Sequence, residues 1–164
     1  MMKNIQIEVK WAIIFSLMGL LWIWMEKLVG LHSQYIDKHP IYTNLIAIPA
    51  IAIYVFALLD KRKHFFAGKM NFQQGFSTGM IITLIVALLS PLSQVMSTVV
   101  ITPEYFPNVI EYVVKKNLMT RAQAESYFSL NNYIIQSLIG ALVMGTITSA
   151  VVALVVRSKK RANA

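Results

Sequence analysis

The side chains in this sequence that could do chemistry are a few polar groups placed within long apolar runs. They are Asn44, Ser90, Gln94 and Gln136 inside the runs, and Glu26 near the end of the first. An amide or carboxylate in hydrocarbon costs free energy unless it finds a partner, so such positions are the first candidates for a functional site.

Glu26 is the acidic member of this group. A carboxylate that is partly withdrawn from water could carry a proton or hold a cation. It could equally be an interfacial residue paired with Lys27 and His32. Its distance from the centre of the apolar run favours the second interpretation, so we expect Glu26 at the membrane interface.

Two histidines and an aspartate follow Glu26 in a short connection. His32, Asp37 and His39 carry imidazole and carboxylate groups, which suit zinc and similar ions. Only two histidines are present, however, and the segment has no helical register that would align them. We therefore expect surface residues here and neither a metal site nor a cofactor.

Pro91 lies three residues before Gln94 and deprives the carbonyl of Ala87 of its helical hydrogen bond. Such a broken segment can line a small polar cavity. The alternative is a kinked helix whose amide bonds to a neighbour, which the sequence favours because proline kinks are routine in membrane helices. Pro49 is interpreted in the same way.

Small residues recur every four positions in two of the apolar runs. The stripes are Gly75, Gly79, Thr83 and Ala87 in one, and Ala141, Gly145, Ser149 and Ala153 in the other. Stripes of this kind let helix backbones approach closely where lipid offers no hydrophobic drive for association. Packing within one bundle and a homodimer face both use them, and we expect the former.

Motifs of known enzymes are missing from the sequence. No Ser-His-Asp order, H-E-x-x-H, P-loop, G-x-G-x-x-G or EF-hand pattern occurs, and the absence of cysteine excludes thiolate sites. We therefore expect a protein that is not an enzyme and binds no cofactor.

The elements that would position the polar residues are four apolar runs near residues 11–31, 41–59, 75–101 and 131–156. Each is close to the roughly 20 residues that cross a bilayer. Only 13% of the chain is charged, against about a quarter in soluble domains. The sequence predicts an all-α polytopic membrane protein whose residues 1–164 form one domain of four transmembrane helices.

The connection 102–130 is long for a link between neighbouring helices, so we expect structure within it. Pro103 or Pro107 could open a helix that runs to Lys116, and Asn117 would end it. Apolar and polar residues alternate there at helical spacing. The connection should therefore hold a short amphipathic helix on the outer membrane surface.

A second short helix is predicted after it. Thr120 and Gln123 are spaced as a capping box, in which a hydroxyl and an amide satisfy free N–H groups at a helix start. This helix would run through Phe128.

Orientation follows from Lys and Arg, which are retained on the cytoplasmic side. Ten fall in residues 1–10, 60–74 and the tail after Val156, against five in the other two connections. Both termini are therefore predicted to be cytoplasmic. The net charge of +8 is attributed to anionic lipid and not to nucleic acid, because the basic residues lie between apolar runs.

The order of these features resembles a domain-of-unknown-function family of small four-helix bacterial membrane proteins, frequent in the Bacteroidetes group. The resemblance rests on the segment Asn71–Gly79 entering a span, on Thr102–Tyr105 after it, and on a last helix ending in Lys and Arg. It implies the four-helix architecture and brings no activity, substrate or catalytic residue.

The sequence thus predicts an uncharacterised integral protein of the bacterial inner membrane. A non-enzymatic interaction or assembly element of the envelope is the leading functional hypothesis, with the lipid bilayer and possibly a second membrane protein or a second copy as partners. The alternative is a subunit of a small oligomeric transporter or channel.

Overall fold

The protein is all-α in the computed structural model, which describes residues 5–158; no strand occurs in that range. The α-helices are α1 (Gln6–Leu28), α2 (His39–Tyr42), α3 (Ala47–His64), α4 (Phe72–Val95), α5 (Tyr105–Lys115), α6 (Arg121–Tyr127) and α7 (Leu130–Val156). A 3-10 turn (Thr43–Ile46) joins α2 to α3, and a π-helical turn (Met96–Ile101) extends α4.

Four of these stretches are long and apolar enough to cross a membrane: Gln6–Leu28, His39–His64, Phe72–Ile101 and Leu130–Val156. They agree in number and order with the four predicted spans. The first begins and ends earlier than the predicted 11–31. It ends because Gly30 adopts a φ of +80° and its N–H bonds to the carbonyl of Lys27, which turns the chain back.

The surface of the bundle is apolar and its interior is partly polar. Leu88 and Val155 are 79% and 74% exposed, whereas Thr83 and Ser149 are fully buried. Exposure of so large an apolar surface to water would be unfavourable in free energy, whereas its exposure to the hydrocarbon of a bilayer would not be. The distribution of side chains is therefore that of a protein whose solvent is lipid.

The helices α4 and α7 make the closest contact in the bundle. A Cβ on Gly79 would lie 2.5 Å from Ser149 Oγ, and a Cβ on Gly145 would lie 2.5 Å from Thr83 Cγ2. Gly75 similarly faces Ala153, and the two stripes run antiparallel in register. Ala141 packs against the same core. Both small-residue stripes are thus used within one chain.

Two short helices fill the connection 102–130, as predicted. Thr120 and Gln123 form the expected capping box at the start of α6. Asn117, with a φ of +54°, ends α5. The apolar faces of α5 and α6 pack together with Ile36 and form a small second core, whose buried residues are Ile36, Val109, Val113 and Ala124.

The bundle has two unlike ends. The start of α1, residues 60–74 and the end of α7 meet at one end, which we call the terminal end. The opposite end, with residues 26–46 and 94–130, is the loop end. Lys3, Lys159, Lys160 and Arg161, which contribute to the predicted orientation, lie outside the described residues.

Candidate functional site

Three candidate metal donors converge at the loop end. Glu26 lies in the last turns of α1, His32 in the turn that follows and His39 at the start of α2. Glu26 Oε2 is 3.3 Å from His32 Nε2 and 3.6 Å from His39 Nε2. One donor atom from each residue lies within 4.8 Å of the others. The reversal at Gly30 creates this cluster because it folds His32 back over Glu26.

The structure differs here from the prediction that His32 and His39 are surface residues. Glu26 lies near the end of α1 and pairs with His32, as the interfacial interpretation expected, but its side chain is buried. Glu26 and His32 are each only 4% exposed, and His39 is half-buried. Asp37 is exposed and lies outside the cluster. Helices α2 and α5 cover the segment, and so they bury side chains that a free loop would leave in water.

Lys27 does not pair with Glu26, although it is the next residue. Its ammonium lies 3.3 Å from Glu104 and donates to the carbonyl of Ile101 at 2.6 Å. The ion pairs of Glu26 within residues 5–158 are with the two imidazoles. Trp22 Nε1 donates to the other carboxylate oxygen at 2.7 Å and fixes its orientation.

The cluster faces a cavity of about 180 Å3 between the bundle and the short helices. Its lining is Ile23, Glu26, His32, His39, Thr43, Gln94, Ser97, Thr98, Thr102, Tyr105 and Tyr133. Ile23 alone among them is aliphatic. A cavity so rich in hydrogen-bonding groups at the end of a membrane bundle suits a small polar or charged ligand.

Tyr105 connects the cluster to the short helices. Its ring centroid lies 4.9 Å from that of His32 and 5.1 Å from that of His39, and its hydroxyl is 3.5 Å from His39 Nδ1. Burial raises the pKa of Tyr105 above its ordinary value. Asn108, also on α5, donates to the carbonyl of His32 at 2.9 Å. Helix α5 therefore holds both imidazoles in place.

His32 Nδ1 is buried and has no hydrogen-bond partner among the described residues. Such orphaned atoms are rare in folded proteins and call for an explanation, of which a bound water or ion is one. Protein groups alone therefore do not complete the bonding of this cluster.

The π-helical turn brings two hydroxyls to the cavity. The N–H of Thr102 donates to the carbonyl of Ser97 at 2.8 Å, five residues back. This wider turn presents Ser97 and Thr98 to the cavity. Single π turns in α-helices are frequent at functional sites.

A second cavity, of about 200 Å3, lies next to the first on the side toward the middle of the bundle. Ile23 and Gln94 line both. Its polar lining consists of Ser16, Ser90, Ser93, Gln94 and Ser137. The segment of α4 around Pro91 thus lines a cavity whose wall is mainly apolar, with a few hydroxyls and the Gln94 amide among its polar groups.

The defect created by Pro91 is repaired within the same helix. Ser90 Oγ donates to the carbonyl of Ala87 at 2.9 Å. Gln94 Nε2 donates to Thr98 Oγ1 at 3.0 Å, which fixes the orientation of an amide that lines both cavities. The other predicted polar positions lie elsewhere: Asn44 donates to the carbonyl of Pro40 at 2.7 Å, and Gln136 is exposed on the outside of α7.

Sequence reasoning missed a buried ion pair at the terminal end. Lys61 Nζ lies 2.8 Å from Glu8 Oε1, and both side chains are almost completely buried. Close by, Asp60 pairs with Lys10 and accepts from Trp11 Nε1 at 2.7 Å. Because α1 begins at Gln6, five residues before the predicted span, Glu8 falls inside the bundle.

The all-helical fold and its apolar outer surface are those of a multi-pass membrane protein, with four helices long and apolar enough to span a bilayer. Within this class, residues 10–158 match the family described as "Protein of unknown function (DUF4199)". The match covers most of the chain, and the chain belongs to this family. It agrees with the resemblance drawn from the Asn71–Gly79 segment. No curated protein and no solved structure matches the chain.

Proposed function

We propose that the protein is a non-enzymatic membrane protein of the bacterial envelope that binds a small cationic ligand at its loop end. The single observation that carries the proposal is the buried carboxylate of Glu26, which faces a polar cavity and whose ionic partners are imidazoles. Buried carboxylates are stable when a cation or several donors neutralise them. Trp22 and His32 supply hydrogen bonds to this carboxylate, and a cation in the cavity would also balance its charge and so stabilise the site.

The site would be reached from outside the cell. The Lys and Arg distribution supports an inner-membrane protein with both termini in the cytoplasm, which puts the loop end outward. A ligand from the periplasm would then meet the cavity beneath α5 without crossing the bilayer.

The hypothesis of an assembly element loses one of its supports. It rested partly on the small-residue stripes, and these face each other inside one chain. Partner helices, whether of a second copy or of another membrane protein, would have to use the lipid-facing surface, where Gln136 is exposed. The cavity is the stronger basis for a function.

The cation proposal is tested by thermal unfolding of the purified full chain in detergent. A panel of divalent metals, spermidine, guanidinium and tetramethylammonium is added to separate samples. A ligand at one hundred times its Kd stabilises by about 2.7 kcal/mol, so at least one cation should raise Tm in a concentration-dependent way. Glu26→Gln should abolish the rise, and Asp37→Asn, which removes an exposed acid at the same end, should not.

The proposal is wrong if no cation raises Tm in folded protein, or if Glu26→Gln responds like the unaltered chain. Circular dichroism of each variant separates loss of binding from loss of fold.

A small transporter or channel subunit is the second candidate, and it is favoured by the two neighbouring cavities, which share Ile23 and Gln94 in their walls. Phe15, which also lines the second cavity, packs edge-on against Tyr54. Tyr54 bonds to Thr83 at 2.8 Å in the fully packed core. Transport would need this core to open. Ion flux through reconstituted liposomes would support it, and impermeable liposomes containing folded protein would exclude it.

A further inference from the structure

We propose that the cationic ligand is a divalent transition-metal ion of the zinc type, bound by Glu26, His32 and His39. This inference rests on the proposed function and deepens it by naming the class of ligand. It assigns a direct role to two imidazoles that sequence reasoning placed at the surface.

The geometry of the donors carries the proposal. An ion bound to nitrogen and oxygen at about 2.0–2.1 Å in tetrahedral geometry holds its ligand atoms about 3.3–3.4 Å apart. Glu26 Oε2 lies 3.3 Å from His32 Nε2 and 3.6 Å from His39 Nε2. These two separations are close to that value, and the donor atoms of the two histidines lie within 4.8 Å of each other, so side-chain rotations would have to bring the imidazoles together around an ion.

The donor types select the class of ion. Two imidazoles and one carboxylate suit zinc and neighbouring transition ions, whereas calcium and magnesium prefer six or more oxygen ligands. Three protein ligands leave a fourth position, which faces the polar cavity. A water molecule there could bond to the hydroxyls of Thr43 or Thr102, which line the same space.

The surroundings orient two of the three donors as metal sites require. Ligating histidines are oriented by a second group on the other ring nitrogen, and ligating carboxylates are themselves hydrogen-bonded. Tyr105 Oη lies 3.5 Å from His39 Nδ1, and Trp22 Nε1 donates to the second oxygen of Glu26. Tyr105 is thus a positioning residue.

The outer ring nitrogen of His32 would need a partner in such a site. His32 Nδ1 is buried and has no hydrogen-bond partner among the described residues. Coordination through Nε2 would place the proton on Nδ1, so an ordered water molecule would have to accept from it.

The test uses the purified full chain in detergent, with Zn2+ followed by isothermal titration calorimetry and Co2+ by absorption spectroscopy. We expect one Zn2+ per chain and the intense visible bands of four-coordinate Co2+. His32→Asn and His39→Asn should each weaken Zn2+ binding by more than about a hundredfold, and Tyr105→Phe by about tenfold. Mg2+ and Ca2+ should not compete.

His64→Asn is the matched control. His64 lies 2.7 Å from Asp60 at the terminal end, so it offers a histidine and a carboxylate without a third donor. Its replacement should leave the affinity unchanged. The Co2+ spectrum of the unaltered chain tests the ligand set even if a site variant fails to fold.

Folded protein that binds no Zn2+, that shows a six-coordinate Co2+ spectrum, or that keeps its affinity in both histidine variants would overturn the metal assignment. Stabilisation by spermidine or guanidinium in such a case, abolished by Glu26→Gln, would leave the cation-binding function standing with another ligand. The two failures are therefore distinguishable.

Discussion

Gly79 on α4 and Ser149 on α7 touch so closely that the bundle has no room for a methyl group between them. A Cβ on Gly79 would lie 2.5 Å from Ser149 Oγ and 3.1 Å from Ser149 Cα. The second distance involves backbone, which cannot rotate away. The position therefore requires glycine for reasons of space, and its backbone is ordinary helix.

Gly79→Ala should destabilise the protein by about 1–3 kcal/mol, the usual cost of overpacking. The measurement is thermal unfolding in detergent. Gly140→Ala is the matched control, because no atom lies within 4 Å of a Cβ at that position. Adding Ser149→Gly to Gly79→Ala should recover part of the loss; equal losses for the double and single variants would contradict the proposed contact.

Removal of one partner from the buried pair of Glu8 and Lys61 should be costly. Lys61→Met leaves the carboxylate of Glu8, only 1% exposed, without its ammonium partner, and breaking such pairs costs about 3–5 kcal/mol. Lys10→Met breaks a pair in which the lysine is half exposed, and it should cost less than about 1 kcal/mol.

The readout is again the unfolding transition. Replacing both members, as Glu8→Leu with Lys61→Met, should recover most of the stability lost in Lys61→Met because no unpaired charge remains. A Lys61→Met variant as stable as Lys10→Met would show that the pair contributes nothing.

Asn117 ends α5 in a left-handed conformation. The N–H of Asn117 bonds to the carbonyl of Val114, and that of Leu118 bonds to the carbonyl of Val113, as in a Schellman motif. Asn117→Val should destabilise this end by about 1–2 kcal/mol because a β-branched residue is strained at positive φ. Asn117→Gly should be neutral or stabilising.

Limited trypsin digestion measures this effect locally, since Lys115 and Lys116 immediately precede the cap. Cleavage there should be faster in Asn117→Val than in the unaltered chain and no faster in Asn117→Gly. Identical rates in all three proteins would mean that the cap does not limit opening of α5.

The orientation makes a separate prediction. Reporter fusions after Lys63 and after Arg161 should report the cytoplasm, and a fusion at Asn117 should report the periplasm. Protease added to intact spheroplasts should cut between Lys115 and Arg121 and spare the C-terminal tail. The reverse pattern would invert the orientation and expose the metal site to the cytoplasm.

The sequence was sufficient for those features that depend on local chemistry. Length and hydropathy determine the four spans, and the capping box of Thr120 and Gln123 uses two residues three positions apart. The left-handed end at Asn117 is equally local. Each of these features depends on residues that are neighbours in the chain, so each could be predicted without knowledge of the tertiary packing.

The candidate site was not predictable in the same way. Glu26 and His39 are thirteen residues apart in the chain, and they meet only because Gly30 reverses the chain and α5 covers the turn. Tyr105 and Tyr133 come from elements far along the chain. Gly30 was a usable signal for a reversal of the chain, but no local pattern indicates the direction in which the chain turns.

The antiparallel contact of α4 with α7 also orders events during synthesis. The ribosome completes Gly79 about 70 residues before Ser149, which at about 5–20 residues per second amounts to several seconds. Helix α4 leaves the ribosome before α7 is complete, so for part of this interval it would lie in the membrane without its partner. Its small, hydroxyl-bearing face would then be open to lipid, and insertase or chaperone contacts would matter most at that stage.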